Sequence, residues 1–143
     1  MEEKIKNGEE YYDIVILDPP KLAPTNKDIP RASRKYQSLN MNAIKLLDPI
    51  NGGILLTCTC SSAIAQKNGG EYFISLVKNA AIMAKREIKL LSIHGAAPCH
   101  TTNPGARDLR SKYLEVAMFS VGGLGLAEIS EKEKEKEKEI DGE

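Results

Sequence analysis

The sequence has no long hydrophobic run, few cysteines and no net charge. Among its 143 residues no apolar stretch approaches the roughly 20 residues that span a bilayer, and the charged first residues do not resemble a signal peptide. The three cysteines form an odd set without regular spacing, which argues against a disulfide scaffold and favours free thiols in a reducing compartment. We therefore expect a domain without a membrane segment, in the cytoplasm or an organelle.

The zero net charge conceals an uneven distribution. Between Lys21 and Lys112, fourteen Lys or Arg oppose five Asp or Glu, a net of +9, whereas residues 128–143 hold eight acids and four lysines, a net of −4. A basic body with an acidic tail indicates a polyanionic partner such as nucleic acid, although an ordinary solvated surface is an alternative. The Gly-rich and Glu/Lys-rich residues 122–143 are predicted to form a disordered tail.

Residues 13–21 read Asp-Ile-Val-Ile-Leu-Asp-Pro-Pro-Lys, and this segment organises the rest of the chain. A short aliphatic run closed by turn residues predicts a strand buried on both faces, as in a parallel sheet. The two prolines stop the strand because they lack an amide hydrogen and restrict the residue before them. Asp18 is then left at the carboxyl end of the strand, where open α/β sheets bind ligands, although a plain strand-ending turn would give the same pattern.

The remaining hydrophobic pattern predicts an α/β fold. A helix is expected to begin near residues 31–34, after a loop that extends to Pro30, with an apolar face of Leu39, Ala43, Ile44 and Leu47. A second strand is predicted at 54–59, a second helix after Gly69-Gly70, and two further strands at 88–93 and 113–121. The order is β-α-β-α-β-β, and its first two crossings imply parallel strands with right-handed connections.

Chemically active side chains end both of the first two strands. Asp18 and Lys21 follow the first strand and Cys60 follows the second, and parallel neighbours place these ends on the same edge of the sheet. A carboxylate, an ammonium and a thiol in one crevice suit covalent catalysis, since a nearby cation favours the nucleophilic thiolate.

These motifs carry a resemblance to a known family. The Asp-Pro-Pro-Lys strand end, the helix pattern of Arg31, Tyr36 and Asn40, the Gly-Gly-Ile-Leu-Leu-Thr-Cys-Thr-Cys-Ser strand and a His-containing loop resemble class I S-adenosylmethionine-dependent RNA methyltransferases. The nearest group is the large-subunit ribosomal RNA cytosine-C5 methyltransferases, and the resemblance spans about residues 10–121. It implies a Rossmann-like sheet whose final strand is antiparallel.

The resemblance also implies roles for individual residues. Asp18, Pro19 and Pro20 would lie beside the methyl donor, S-adenosyl-L-methionine, and Asp18 and Lys21 would act in catalysis. Cys60 would be the cysteine that attacks the pyrimidine ring, with Cys58 as a lesser candidate. Lys21 stands where methyltransferases acting on exocyclic amines have an aromatic ring, which favours methylation of a ring carbon. The RNA, expected to be ribosomal, would meet the basic residues Arg31, Arg34, Lys35, Arg107 and Arg110.

One departure from the family is large. The Gly-rich turn and the acidic residue that mainly hold the donor would precede residue 1, as would the family's RNA-binding domain. We therefore expect residues 1–121 to be the C-terminal half of a catalytic domain, inactive alone and requiring a missing N-terminal half or a partner subunit.

Two alternatives stay open. Cys58 and Cys60 with Cys99 and His100 could form a zinc site, but their spacing matches no common zinc motif, so no metal is predicted. The chain could also be a non-catalytic remnant that binds RNA or a partner protein through the same basic surface. The sequence specifies neither the RNA nor the nucleotide.

Overall fold

The computed structural model describes residues 10–97, 99–100 and 113–125. Its strands are β1 (Ile14–Leu17), β2 (Gly53–Thr59), β3 (Ile88–His94) and β4 (Glu115–Val121), which form one sheet in the order β1-β2-β4-β3. β1 runs parallel to β2, whereas β4 is antiparallel to both β2 and β3. Three strands therefore share one direction and the last is inserted against them, which confirms the predicted order of elements along the chain and the predicted strand directions.

The helices are α1 (Ile29–Lys45), α2 (Ser62–Ala65) and α3 (Glu71–Met83). The prediction that the loop continues to Pro30 is wrong, because this proline lies in the first turn of α1. A helix tolerates proline there since the first-turn amides have no partner within the helix. Hydrogen bonds stabilise the turn that leads the chain into α1. In this turn the Asp28 carboxylate accepts from the Thr25 amide at 3.1 Å and from the Thr25 hydroxyl at 2.8 Å.

The core lies between one face of the sheet and the helices α1 and α3. Tyr36 of α1 and Phe73 of α3 are fully buried and meet edge to face, with ring centroids 5.8 Å apart. The inner face of α3 is buried at Phe73, Leu76, Val77, Ala80 and Ala81. Strand side chains of the same parity complete this core: Val15, Leu17, Leu55, Ala117, Phe119 and Val121.

The opposite face of the sheet is open at β1 in the described part of the chain. Ile14 and Ile16 retain 62% and 69% of their accessible surface, while their neighbours Val15 and Leu17 are buried. The prediction that this strand is buried on both faces is therefore wrong for the described residues. Helices α1 and α3 both pack on the face that carries Val15 and Leu17, so within the described ranges no helix covers Ile14 and Ile16 on the other face.

A buried arginine links several segments at the edge of the sheet opposite the carboxyl ends of β1 and β2. Arg86 is 6% exposed, and its guanidinium donates to the carbonyl oxygens of Gly122, Asp48 at 2.7 Å and Leu47 at 3.4 Å. Burial lowers the pKa of Arg86, an effect that the charge of Asp48 opposes. These bonds join the end of α1 to the residues after β4.

The segment predicted as a tail begins with ordered contacts. The Gly122 amide donates to the Glu87 carbonyl at 2.8 Å, and the Leu124 amide donates to the Pro49 carbonyl at 2.7 Å. Residues 126–143 lie outside the described residues. Within the described ranges, no helix combines the length and apolar character that a membrane crossing requires.

Candidate functional site

The ends of β1 and β2 lie side by side. The register pairs Leu17 with Thr57, so the residues that follow each strand leave the same edge of the sheet. Asp18 and Lys21 are exposed, and Cys60 is half-buried. Pro19 is buried and fixes the turn, while Pro20 is exposed. The residues predicted from the two strand ends thus share one edge.

The direct contact of Asp18 is with Cys58, the lesser candidate. The Cys58 thiol lies 3.1 Å from Asp18 Oδ1 and 3.6 Å from the Leu17 carbonyl, and it donates to both oxygens. In the described part of the chain, no hydrogen bond joins Cys60 to Asp18 or Lys21. The pairing register places residue 58 beside residue 18, and this explains why the carboxylate meets the earlier thiol.

Cys58 is held as a neutral thiol. Burial, then the hydrogen bond to Asp18, then the charges of Asp18 and Cys60 raise the pKa of Cys58 to about 12. Its thiolate fraction at pH 8 is therefore about one in ten thousand, too small for an effective nucleophile. Cys58 instead donates a hydrogen bond to the Asp18 carboxylate, and Cys60 is the more accessible of these two thiols.

Selective alkylation tests this difference in the chain as it is. At pH 8 we expect iodoacetamide to leave Cys58 unmodified while Cys60 reacts. The substitution Asp18→Asn removes a carboxylate charge that raises the pKa of Cys58, so it should accelerate Cys58 alkylation. Modification rates by peptide mass spectrometry measure both effects, with exposed Cys99 as the internal reference. Equal alkylation rates of Cys58 in the unmodified chain and in Asp18→Asn would contradict the claim that Asp18 raises the pKa of Cys58.

A buried hydroxyl network joins the two strand-end loops. The Thr59 hydroxyl donates to the Tyr36 hydroxyl at 2.7 Å, and the Tyr36 hydroxyl lies 3.2 Å from Ser61 Oγ. Ser61 Oγ also accepts from the Ala23 amide at 3.1 Å, and the Ser61 amide donates to Thr59 Oγ1 at 3.2 Å. The network therefore fixes the turn of Cys60 relative to the loop after Asp18.

Sequence reasoning did not identify Thr59 and Ser61 as positioning residues. Tyr36 entered only through the family resemblance, although a polar aromatic residue on the inner face of α1 was a usable signal. A buried tyrosine hydroxyl needs a hydrogen-bonding partner, and the polar residues around Cys60 were the available ones.

The basic residues of α1 are on its surface. Arg31, Arg34 and Lys35 are all exposed, and they lie on the first turns of the helix. Arg31 also acts on a neighbouring acid, because its charge helps the Thr25 hydrogen bonds to lower the pKa of Asp28. Arg107 and Arg110 lie outside the described residues, so their predicted role is not placed.

The four candidate zinc ligands do not come together as one group. Within the described ranges no cluster of three or more His, Cys, Asp or Glu side chains could hold a metal ion. Cys99 and His100 contact each other, with Sγ 3.2 Å from Nδ1, on the surface. Cys58 contacts Asp18 instead.

Comparison with solved structures defines the class of fold. A provisionally assigned methyltransferase crystallised with S-adenosylhomocysteine matches 82% of the chain at a TM-score of 0.56 and 22% identity. A provisionally assigned S-adenosylmethionine-dependent methyltransferase from Streptococcus mutans matches 82% of the chain at a TM-score of 0.60 and 19% identity. The chain covers 28% and 27% of those two proteins. It thus has part of the mixed α/β, Rossmann-like fold of methyltransferases.

Proteins similar to the chain in sequence are named as methyltransferases of ribosomal RNA. The chain is 41% identical over 91 residues to ribosomal RNA large subunit methyltransferase I of Photobacterium profundum, which is 64% of the chain and 21% of the relative. It is 37% identical over 121 residues to a protein of Methanocaldococcus jannaschii provisionally named a ribosomal RNA large subunit methyltransferase, which is 85% of the chain and 28% of the relative. The chain therefore spans about a quarter of the length of these relatives. No family model matches it.

Proposed function

We propose that the chain is the C-terminal part of an S-adenosylmethionine-dependent methyltransferase that modifies C5 of a cytosine in ribosomal RNA. The observation that carries this proposal is the shared edge of β1 and β2, where Asp18 and the turn of Cys60 meet in a methyltransferase-like sheet. The names of the sequence relatives support ribosomal RNA as the substrate.

Covalent activation by Cys60 explains why this chemistry needs a thiol. Cytosine C5 is a poor nucleophile, so the Cys60 thiolate first bonds to C6 and the electron pair of the C5–C6 double bond moves to C5. The electron pair at C5 would then bond to the methyl group of the donor, and the electrons of the broken sulfur–methyl bond would remain on the donor's sulfur, giving S-adenosylhomocysteine. A base afterwards removes the C5 proton, the double bond re-forms, and the Cys60 thiolate leaves.

The neighbours of Cys60 have separate roles. Asp18 accepts a hydrogen bond from the cytosine edge and supports proton transfer, and the Cys58 thiol holds its carboxylate in place. Lys21 is exposed beside the same edge, where its ammonium contacts the RNA backbone or favours the Cys60 thiolate. The buried hydroxyls of Tyr36 and Ser61 hold the loops that follow β1 and β2 in fixed positions relative to each other.

The described residues supply one wall of a donor site. S-adenosyl-L-methionine, when bound, supplies an electrophilic methyl group and carries positive charge on its sulfonium and amine. The exposed Asp18 carboxylate suits a cationic ligand, and the rigid Pro19-Pro20 turn holds it at the sheet edge. These three residues would hold the donor together with segments not contained in the chain.

The exposed sheet face supports the proposal that further segments complete the fold. Sheets with parallel strands are normally covered on both faces, yet Ile14 and Ile16 are open. The chain covers only 21% and 28% of two relatives, so ample additional sequence exists in them to cover this face. An N-terminal half or a partner subunit would fill that role.

RNA binding rests on the exposed basic residues. Arg31, Arg34 and Lys35 on α1 are accessible to phosphates, and Arg107 and Arg110 are proposed to join them. The uncovered sheet face also favours a second function, in which the chain is a non-catalytic module that binds RNA or a partner protein.

Product analysis separates the two functions. The chain is fused to the N-terminal remainder of the Methanocaldococcus jannaschii relative and incubated with S-adenosylmethionine and unmodified ribosomal RNA. Nucleoside mass spectrometry should then show 5-methylcytidine, because Lys21 favours ring-carbon chemistry. A fusion that binds RNA and yields no methylated nucleoside would favour the binding module, and N4-methylcytidine would contradict the C5 assignment.

A further inference from the structure

A polar cleft opens directly beside the turn of Cys60. One wall comes from the loop after β1 and the first residue of α1, and the other comes from α2 and the turn that follows it. Its volume is about 820 Å³. Ser62, which lines the cleft, follows the proposed nucleophile Cys60 by only two residues along the chain.

The walls of the cleft carry hydrogen-bonding groups of both kinds. Asn26 and Gln66 each present an amide with donor and acceptor atoms, and Ser62 adds a hydroxyl at the start of α2. Ile29 supplies apolar surface between them. This mixture matches nucleobases, which need both hydrogen-bond partners at their edges and apolar contact for their rings.

The charge of the cleft favours an anionic ligand. Among the described residues that line it, the one charged side chain is Lys67, whose Nζ lies 4.8 Å from the centre of the Tyr72 ring. The Tyr72 hydroxyl lies 2.9 Å from Ser33 Oγ, which fixes the ring beneath the ammonium. The Asp28 carboxylate, which is not among the lining groups, accepts two hydrogen bonds from Thr25.

We infer that this cleft seats the single-stranded RNA that flanks the target cytosine, with Lys67 on a phosphate and Asn26 and Gln66 on a base. Its volume falls in the range of about 300 to 1,000 Å³ that is common for small-ligand sites, which is room for one or two nucleotides. The inference rests on the proposed function, since RNA binding is part of it. It adds a contact surface distinct from the arginines of α1.

The test uses the full chain and a 12-nucleotide single-stranded RNA containing cytosine and 4-thiouridine. Lys67→Met should weaken binding about threefold to tenfold and reduce the salt slope by about 1, because one phosphate contact is lost. Lys45→Met is the matched control, since this exposed lysine ends α1 at the opposite edge of the sheet. Fluorescence anisotropy at several salt concentrations measures both variants, and photo-crosslinking should label residues 24–29 and 62–67.

The possible outcomes distinguish RNA binding in the cleft from the proposed methyltransferase reaction. Crosslinks elsewhere, with Lys67→Met and Lys45→Met equally affected, would overturn the inference and leave the methyltransferase proposal standing. A chain that binds no RNA would also overturn it. Crosslinks in the cleft together with an active Cys60→Ala fusion would support the cleft and refute the covalent mechanism.

Discussion

Replacement of Cys60 with alanine is expected to abolish RNA methylation in a completed enzyme. Removal of a catalytic nucleophile costs about a thousandfold or more in rate, because no other group can form the covalent bond to the base. RNA affinity should stay near normal, since Cys60 is a small half-buried side chain and the proposed phosphate contacts lie elsewhere. Rates of 5-methylcytidine formation by the fusion protein measure the effect.

Cys58→Ala is the matched control for that experiment. Its thiol is held neutral, with a pKa of about 12, and its contact is with Asp18. Its loss should lower activity only moderately, through a less well oriented carboxylate. If Cys58→Ala abolished methylation and Cys60→Ala retained it, the roles of the two cysteines would be reversed.

Arg86→Met is expected to destabilise the fold by about 3 kcal/mol, which corresponds to a fall in Tm of about 10 °C. The substitution keeps an unbranched side chain but removes the guanidinium donors to the carbonyls of Leu47, Asp48 and Gly122. Of these three carbonyls, that of Asp48 still accepts from the Gly52 amide at 3.0 Å. Buried carbonyl groups left without a donor are costly, because water cannot replace the lost hydrogen bonds. Thermal unfolding followed by circular dichroism checks the value.

The exposed residue Lys89 provides the comparison for Arg86. Lys89→Met removes the same charge from β3 without touching a buried carbonyl, so its Tm should change by less than about 2 °C. Similar losses for both variants would show that net charge, rather than the buried hydrogen bonds, governs the stability.

The positions of β1 and β2 were predictable because the sequence marks the ends of both strands strongly. The aliphatic run before Asp18 stops at two prolines, and the second strand stops at small polar residues after Cys60. Both signals are local, and the resemblance supplied the antiparallel direction of β4. The exposed face of β1 was not predictable, since Ile14 and Ile16 are as apolar as the buried Val15 and Leu17.

Contacts between distant segments explain the remaining differences. The bond between Asp18 and Cys58 joins residues 40 apart and depends on the pairing register, which the hydrophobic pattern leaves open. The bond from Ala23 to Ser61 spans 38 residues and depends on how the loop after β1 folds back. The sequence could therefore place the candidate residues on one edge, but not decide which thiol meets the carboxylate.

Covalent trapping tests the central claim most directly. RNA that carries 5-fluorocytosine at the target position cannot complete the reaction, because a C5 fluorine replaces the proton that must leave. The fusion protein should therefore form a stable adduct with this RNA, and peptide mass spectrometry should place the modification on Cys60. An adduct on Cys58, or methyl transfer to unmodified RNA with no adduct on any cysteine, would contradict the account.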